Sequence, residues 1–371
     1  MKKKALIFGV KTYWDGVSLP SKNLVKILRK KDYEVFYISD PISPFHFLKW
    51  GFSKEIVLNF FSCIFSKKMI DGINNLSQLI IFPHFINKNK LYLFLMKNLR
   101  FTYKSKYFKM VLSQHYDFVF SCSFRNFALF KTVQSKRKIF SIEDNPFGFG
   151  NLDFEFLTKI DAELKSKSKP FELYCTSMAL IKEKYKYARY ITNGIPESFK
   201  ILPQKIERNY KCVYVGTLDF WFDWDLINST FAFLGDKEQI TLDIYGISSL
   251  YKPEDRIKTN YISFKGPIKH DYLQNTLRNY SVGLIPFIND DLIKYVNPIK
   301  YFEYLSAGLV TVSSEWKELK IQKYPYLIMS NNENFISSIL DAFTISINNA
   351  TAEKLLNGSI IEKNLNKMVG D

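Results

Sequence analysis

The sequence predicts an α/β chain made of two consecutive doubly wound units. Three observations predict it. Short, continuous apolar runs recur along the chain, as strands buried on both faces require. Helix-period stretches separate them, so that strand, helix and strand succeed one another within about 35 residues. In the C-terminal half most of these runs end in glycine or proline, where such sheets place their ligand loops.

Taken in order, ALIFGV (5–10) is the first strand. The loop KTYWDGVSLP leads to the helix-like SKNLVKILRKK, and EVFYIS (34–39) completes a βαβ unit. DFVFSCS (117–123) and RKIFSIED (137–144) read as further strands with a helix between them. YARYITNGI (187–195) reads as a short strand running into a turn at Asn193 and Gly194. A polar, Pro-containing connector near 200–209 precedes a second series of strands: KCVYVGTL (211–218), QITLDIYG (239–246), NYISFKGPI (260–268), YSVGLIPF (280–287) and LVTVSSEW (309–316). Helical patterns such as HDYLQNTLRNY (270–280) fill the gaps. This order gives two Rossmann-like domains facing a cleft, the first over 1–200 and the second over 205–345, with a helical tail over 346–371.

A length of 371 residues suits two domains of ~150 each, and a hydrophobic content of 47% with 17% aromatics excludes a disordered chain. The formal charge of +16 is uneven: residues 1–110 carry 20 Lys and Arg against 6 Asp and Glu, and the remainder 32 against 30. A basic N-terminal part suits an anionic partner. Residues 41–110 hold 15 Phe, Tyr and Trp and 11 Lys and Arg against 2 acids. EIVLNFFSCIFSKKM, LIIFPHFINKNK and LYLFLMKNLRFTYKSKYFKM have the composition of helices lying at an anionic membrane surface, or of core helices with Lys-rich solvent faces. No nucleic-acid reader motif is present, so nucleic acid is not an expected partner.

Cys63, Cys122, Cys175 and Cys212 lie far apart without metal or redox spacing, which points to buried thiols in a reducing cytosol. The apolar run after MKKK is too short for a signal peptide, and no uncharged apolar run reaches the ~18 residues of a membrane span. A dinucleotide oxidoreductase is disfavoured: FGVKTYWDG is the nearest approach to a GxGxxG fingerprint.

The most informative stretch is NPIKYFEYLSAG (297–308). Asn297 suits an N-cap and Pro298 the first helical position, and the free N–H groups of a helix start attract anions. At the helical period Lys300, Glu303, Tyr304 and Ala307 share one stripe, while Ile299, Phe302, Leu305 and Ser306 turn elsewhere, toward a core. A cation beside free N–H groups suits a diphosphate, and a carboxylate one turn on can accept two hydrogen bonds from a ribose diol. A Lys and a Glu at this spacing are otherwise a solvated surface pair.

At these residues the chain resembles a known family. NPIKYFEYLSAGLVTVSS resembles the nucleotide-sugar signature of GT-B glycosyltransferases. ITNGIPESF (191–199) is similar to the motif that closes the family's N-terminal domain. VYVGTLDFWFDWDLI (213–227) is similar to the start of its C-terminal domain, in the version of bacterial polysaccharide enzymes of the glucuronosyltransferase and teichuronic-acid type. The resemblance implies a nucleotide-sugar donor, a UDP-sugar, and no metal or other cofactor. By resemblance Lys300 would contact the diphosphate at the helix start formed by Asn297, Pro298 and Ile299, and Glu303 the ribose. Lys265, Gly266, Pro267 and Ile268 would border the base, with His270 beginning a helix nearby. Tyr245, Gly246, Gly216 and Thr217 would line the donor side. Two positions depart from the pattern. Tyr295 stands where retaining family-4 enzymes often carry a Glu, and Thr217, Leu218 and DFWFDWD stand where an Arg and a Lys are common.

Glycosyl transfer needs the acceptor hydroxyl deprotonated. Asp144, which closes RKIFSIED with Glu143 beside it, is the first candidate base, and Asp15 in the first loop the second. A helix cap or Asx-turn at Asp144 and an Asp-Gly turn at Asp15 are the competing readings. The expected function is transfer of a sugar to a membrane-associated, lipid-linked or polysaccharide acceptor for capsule, exopolysaccharide or lipopolysaccharide, peripherally at the inner face of the cell membrane. A nucleotide-sugar epimerase or hydrolase of the same fold, and a non-catalytic membrane-bound scaffold, are the alternatives.

Overall fold

The structure, a computed structural model, describes residues 2–10, 20–41, 69–70, 73–76, 79–80, 102–103, 106–148, 154–199, 202 and 209–370. The chain divides into two compact units. The first holds Met1–Thr176, Leu180–Ile191 and Glu362–Asp371, and the second Ser177–Ala179 and Thr192–Ile361.

In the first unit the apolar runs become a sheet buried on both faces. Its strands are β1 (Lys4–Phe8), β2 (Glu34–Ile38), β3 (Met69–Ile70), β4 (Ile73–Leu76), and, after the separate hairpin of β5 (Leu79–Ile80) and β6 (Thr102–Tyr103), β7 (His115–Ser121), β8 (Gln134–Ile142), β9 (Glu172–Cys175) and β10 (Arg189–Tyr190). The order is β10-β9-β8-β7-β1-β2-β4-β3, parallel except for the β3–β4 hairpin. Helices α1 (Pro20–Lys30), α2 (Lys106–Leu112), α3 (Phe127–Thr132), α4 (Phe154–Lys165) and α5 (Met178–Glu183) accompany it. Phe127 packs edge-on against Phe140 at 5.1 Å and Phe171 at 5.9 Å, so α3 is docked on the sheet through aromatic rings.

The second unit is a six-stranded parallel sheet of β11 (Lys211–Thr217), β12 (Thr241–Ile247), β13 (Ile262–Gly266), β14 (Val282–Ile285), β15 (Val310–Ser314) and β16 (Leu327–Ser330), in the order β13-β12-β11-β14-β15-β16. Its helices are α6 (Trp224–Glu238), α7 (His270–Leu277), α8 (Ile299–Ser306), α9 (Lys317–Gln322), α10 (Phe335–Thr344) and α11 (Asn349–Gly358); a last helix, α12 (Ile361–Val369), follows in sequence. They pack as two groups, α6 with α10 and α7 with α8 and α11, as a sheet covered on both faces requires. Asp223 caps α6 by accepting from the Leu226 amide at 2.9 Å. Glu318 on α9 is fully buried and fully satisfied. It accepts from Ser177 Oγ (2.8 Å), the amides of Met178 (3.0 Å) and Ala179 (2.7 Å) and Gln322 Nε2 (2.7 Å).

Several expectations need correction. Where helices were expected over 41–110, the described residues include strands β3 to β6, and α2 begins only at Lys106; most of that segment lies outside the described residues. The strands ELYC (β9) and LIMS (β16) were not foreseen, being four residues long and not purely aliphatic. The tail over 346–371 divides: α11 belongs to the second unit, and all but the first residue of α12 to the first. There the Gly370 carbonyl accepts from Lys31 Nζ at 2.8 Å. Among the described residues no helix is long and apolar enough to cross a membrane.

Candidate functional site

Strand order in the second unit reverses between β11 and β14, the switch point at which open α/β sheets bind ligands. The two strands pair through Cys212–Val282 and Val213–Gly283 and then part. Beyond that point the Tyr304 hydroxyl fills the gap, accepting from the Val215 amide (3.0 Å) and donating to the Leu284 carbonyl (3.2 Å). Gly283 makes this possible, since a Cβ there would lie 2.3 Å from the Tyr304 ring. Helix α8 is thereby fastened into the mouth of the crevice.

This corrects the stripe inferred from sequence. Tyr304 is wholly buried, whereas Ile299, assigned to the core, is 42% exposed. Tyr301, Phe302, Tyr304 and Leu305 all turn inward, leaving an open arc of Ile299, Glu303 and Lys300. Tyr304 lies only about 40° beyond Lys300 on the helical wheel, enough to place it on the sheet side. The helix also starts one residue later than expected, with Pro298 at the cap position and no side chain capping it. Asn297 instead secures the preceding turn: its carbonyl accepts from Asn193 Nδ2 (2.7 Å) and its Oδ1 from the Tyr324 hydroxyl (3.0 Å). Trp316 Nε1 donates to the Val296 carbonyl at 2.8 Å.

Lys300 stands over the end of β11. Its Nζ lies 5.5 Å from the ring centre of Tyr214 and 5.3 Å from that of Phe287. Gly216, at φ +150°, leaves the space: a Cβ there would come within 2.3 Å of Lys300 Cε and 2.6 Å of Nζ. Gly246 is Gly216's partner in register, and a Cβ on it would meet the Gly216 carbonyl oxygen at 1.9 Å. Among the described residues nothing forms a hydrogen bond or ion pair with the ammonium. Burial pushes its pKa below the usual lysine value, and the charge of Glu303 opposes that shift. Thr217 is exposed beyond the glycine, and its carbonyl accepts from the Tyr214 hydroxyl at 2.8 Å.

On the other side, His270 Nε2 lies 3.8 Å from Glu303 Oε1, and the His270 ring packs against Phe199 at 5.0 Å. Here a cavity of about 320 Å³ is lined by Ser198, Phe199, His270, Asp271, Gln274 and Asn275. Gln274 on its wall donates to Ser306 of α8 at 3.2 Å. Lys300, Glu303 and this cavity therefore follow one another along α8.

Other sequence-assigned residues are already engaged. The Tyr245 hydroxyl bonds to that of Tyr280 (3.0 Å), which donates to Asp243 (2.7 Å), and Lys265 ion-pairs with the same carboxylate at 3.3 Å. Gly266 adopts φ +75° with open space around it, Pro267 is exposed and Ile268 half-buried. Sequence reasoning missed Tyr214, Phe287 and Asp219. Asp219 ties the loops after β11 and β12 together by accepting from Ser248 Oγ and the Ser249 amide, both at 3.1 Å. The run DFWFDWD thus uses Asp219 for loop bonds and Asp223 as a helix cap, at the place where the sequence departs from the family's Arg and Lys.

In the first unit, Glu143 and Asp144 follow the carboxyl end of β8. Among the described residues no hydrogen bond or ion pair reaches the Asp144 side chain, so it serves neither as a cap nor in an Asx-turn there. Burial pushes its pKa up to about 6. Glu143 is pushed up to about 8, by burial first and then by the charge of Asp144, against a stabilising hydrogen bond with Cys122. Its Oε1 is buried without a partner among the described residues. The two titrate as a coupled pair, with Asp144 giving up its proton before Glu143. Asp40, across the same strand ends, is held by Ser123 and by Arg125 at 2.9 Å. Asp15 lies outside the described residues.

The raised pKa of Glu143 has a sign. Its neutral form is favoured in the folded state, so that contribution is intact below pH 4.5, the ordinary value, and is lost as pH rises to about 8. Urea midpoints should therefore fall between pH 5 and pH 9 by an amount equivalent to roughly 3 kcal/mol, and Glu143→Gln should remove most of the decline. Equal declines in both proteins would refute the assignment.

No protein-family model and no curated protein sequence matches the chain. Likeness is found at the level of structure. A glycosyltransferase from Rickettsia africae ESF-5 is similar with a TM-score of 0.62 at 13% identity, over 99% of this chain and 97% of its own. WaaG, a glycosyltransferase involved in lipopolysaccharide biosynthesis, gives 0.58 at 12% identity over 99% and 100%. A variant of S. aureus TarM, in complex with fondaparinux, alpha-GlcNAc-glycerol and UDP, gives 0.56 at 13% identity over 100% and 97%. At these identities what is shared is the architecture: the chain has the GT-B fold, two doubly wound α/β domains in one polypeptide.

Proposed function

We propose that this chain is a glycosyltransferase moving a sugar from a nucleotide-diphosphate donor to a saccharide acceptor. The observation that carries this reading is the ammonium of Lys300, unpaired among the described residues and held over Gly216 at the switch-point crevice one turn before Glu303. A diphosphate fits the ammonium and the uncapped start of α8, a ribose diol fits Glu303, and a base fits the cavity beside His270. The order of the three groups along α8 matches their order in a nucleotide.

In the reaction the acceptor oxygen bonds to the anomeric carbon while the bond from that carbon to the diphosphate breaks. The acceptor proton passes to Asp144, ionised at neutral pH, and Lys300 and the helix dipole hold the charge of the departing diphosphate. No metal is needed in this scheme. Tyr295, buried in the 3-10 turn Ile293–Tyr295, offers no second carboxylate, which favours a single, base-assisted displacement. The UDP held by TarM supports a UDP-sugar donor, and the role of WaaG supports a bacterial surface polysaccharide as product. The basic, aromatic composition of 41–110 supports a lipid-linked acceptor at the inner face of the membrane.

Calorimetric titration with UDP tests the donor site. Lys300→Met and Glu303→Gln are each expected to weaken binding about tenfold or more, equivalent to roughly 1.4 kcal/mol, with the melting temperature nearly unchanged. Wild-type affinity in both variants would remove the site.

A further inference from the structure

We infer that Tyr214 and Phe287 are positioning residues that hold the Lys300 ammonium over two rings packed edge to face, 6.4 Å apart, fixing it for an anionic ligand without neutralising it. The inference rests on the donor site proposed above and concerns how that site keeps its cation available.

A half-buried ammonium needs compensation for lost water, and a carboxylate is its usual partner. Here Glu303, whose charge acts on the ammonium, forms no ion pair with it, nor does any other described residue; two rings at 5.5 and 5.3 Å take that place. The face of an aromatic ring attracts a cation at such distances. A ring consumes none of the three N–H donors and adds no negative charge to repel a diphosphate, whereas a carboxylate would do both. Both rings are themselves fixed. The Tyr214 hydroxyl donates to the Thr217 carbonyl, and its ring packs against Phe222 at 4.6 Å. Phe287 stacks on Trp316 at 5.9 Å with 23° between planes, and its backbone bridges to Phe222. Gly216 closes the arrangement from below, its missing Cβ leaving room for the lysine stem. Two strand ends and a helix start thus converge on one ammonium, which restrains a side chain otherwise rich in rotamers.

The test uses UDP and uridine as probes, by calorimetry and competition, on the full chain. Tyr214→Leu and Phe287→Leu remove a ring and keep apolar volume. Tyr214→Phe and Phe287→Tyr keep the rings. The ring-removing variants are expected to weaken UDP about 5- to 20-fold and uridine less than twofold, and the ring-retaining variants to leave both within about twofold. In a Lys300→Met background the Leu substitutions should have no further effect on UDP. Equal losses for UDP and uridine, or additive losses in that background, would show a merely structural role and overturn the inference while the donor site stands. Unchanged UDP affinity in Lys300→Met alone would overturn the donor site, and the inference with it. Should a Leu variant fail to fold, Phe287→Met and Tyr214→Met supply flexible replacements for the same comparison.

Discussion

Asp144→Asn is expected to lower kcat by ~10²- to 10⁴-fold, with UDP affinity within about twofold of wild type. The substitution preserves shape and removes only the capacity to take a proton. Nothing among the described residues bonds to the Asp144 side chain, so little structural loss accompanies the change. The charge of Asp144 helps to keep Glu143 protonated, so Asp144→Asn eases ionisation of Glu143, and the double variant Glu143→Gln/Asp144→Asn measures any residual rate that Glu143 supplies. The wild-type rate should fall as pH drops through about 6, the pKa to which burial pushes Asp144, and the variant should lack that limb. The donor for this assay is the nucleotide sugar that raises the melting temperature most in a thermal-shift screen. A wild-type kcat in Asp144→Asn would eliminate it as the base and leave Asp15 and Glu143 as the carboxylates to test.

Gly216→Ala should come close to abolishing UDP binding, with a loss on the order of 100-fold. The added methyl would lie within 2.3 Å of Lys300 Cε, so the lysine must leave its place over the rings. The backbone at φ +150° also disfavours any L-residue, costing on the order of 1–3 kcal/mol of stability. Gly358→Ala is the matched control. A Cβ there meets nothing within 4 Å, and it ends helix α11. It should leave UDP affinity and melting temperature nearly unchanged. If Gly216→Ala melts lower yet binds UDP as wild type does, the ammonium does not occupy the place assigned to it.

The sheets were legible because parallel strands buried on both faces appear as uninterrupted apolar runs, as in β1, β11 and β14. ELYC and LIMS escaped because four mixed residues carry no periodic signal. Lys300 and Glu303 were legible from helical spacing and from resemblance, yet the same spacing misplaced Tyr304. A stripe on a helical wheel cannot say how wide the buried face is, and here it is wide enough to take in a tyrosine whose hydroxyl has backbone partners. The rings around Lys300 could not be read at all: Tyr214 is on β11 and Phe287 beyond β14, and only the sheet order brings them together. Asp144 was found by its position at a strand end. Its lack of a partner among the described residues, which separates a base from a turn residue, is a property of three-dimensional packing alone.

The tyrosine between β11 and β14 has a mechanical consequence. The ladder between these strands is continued by a side chain belonging to the helix that carries Lys300 and Glu303. Sliding that helix by even an ångström strains bonds to two strands at once, so helix and sheet behave as one rigid body. Adaptation to a different sugar is then left to the surrounding loops, and residues 283 and 304 are free to drift only as a pair.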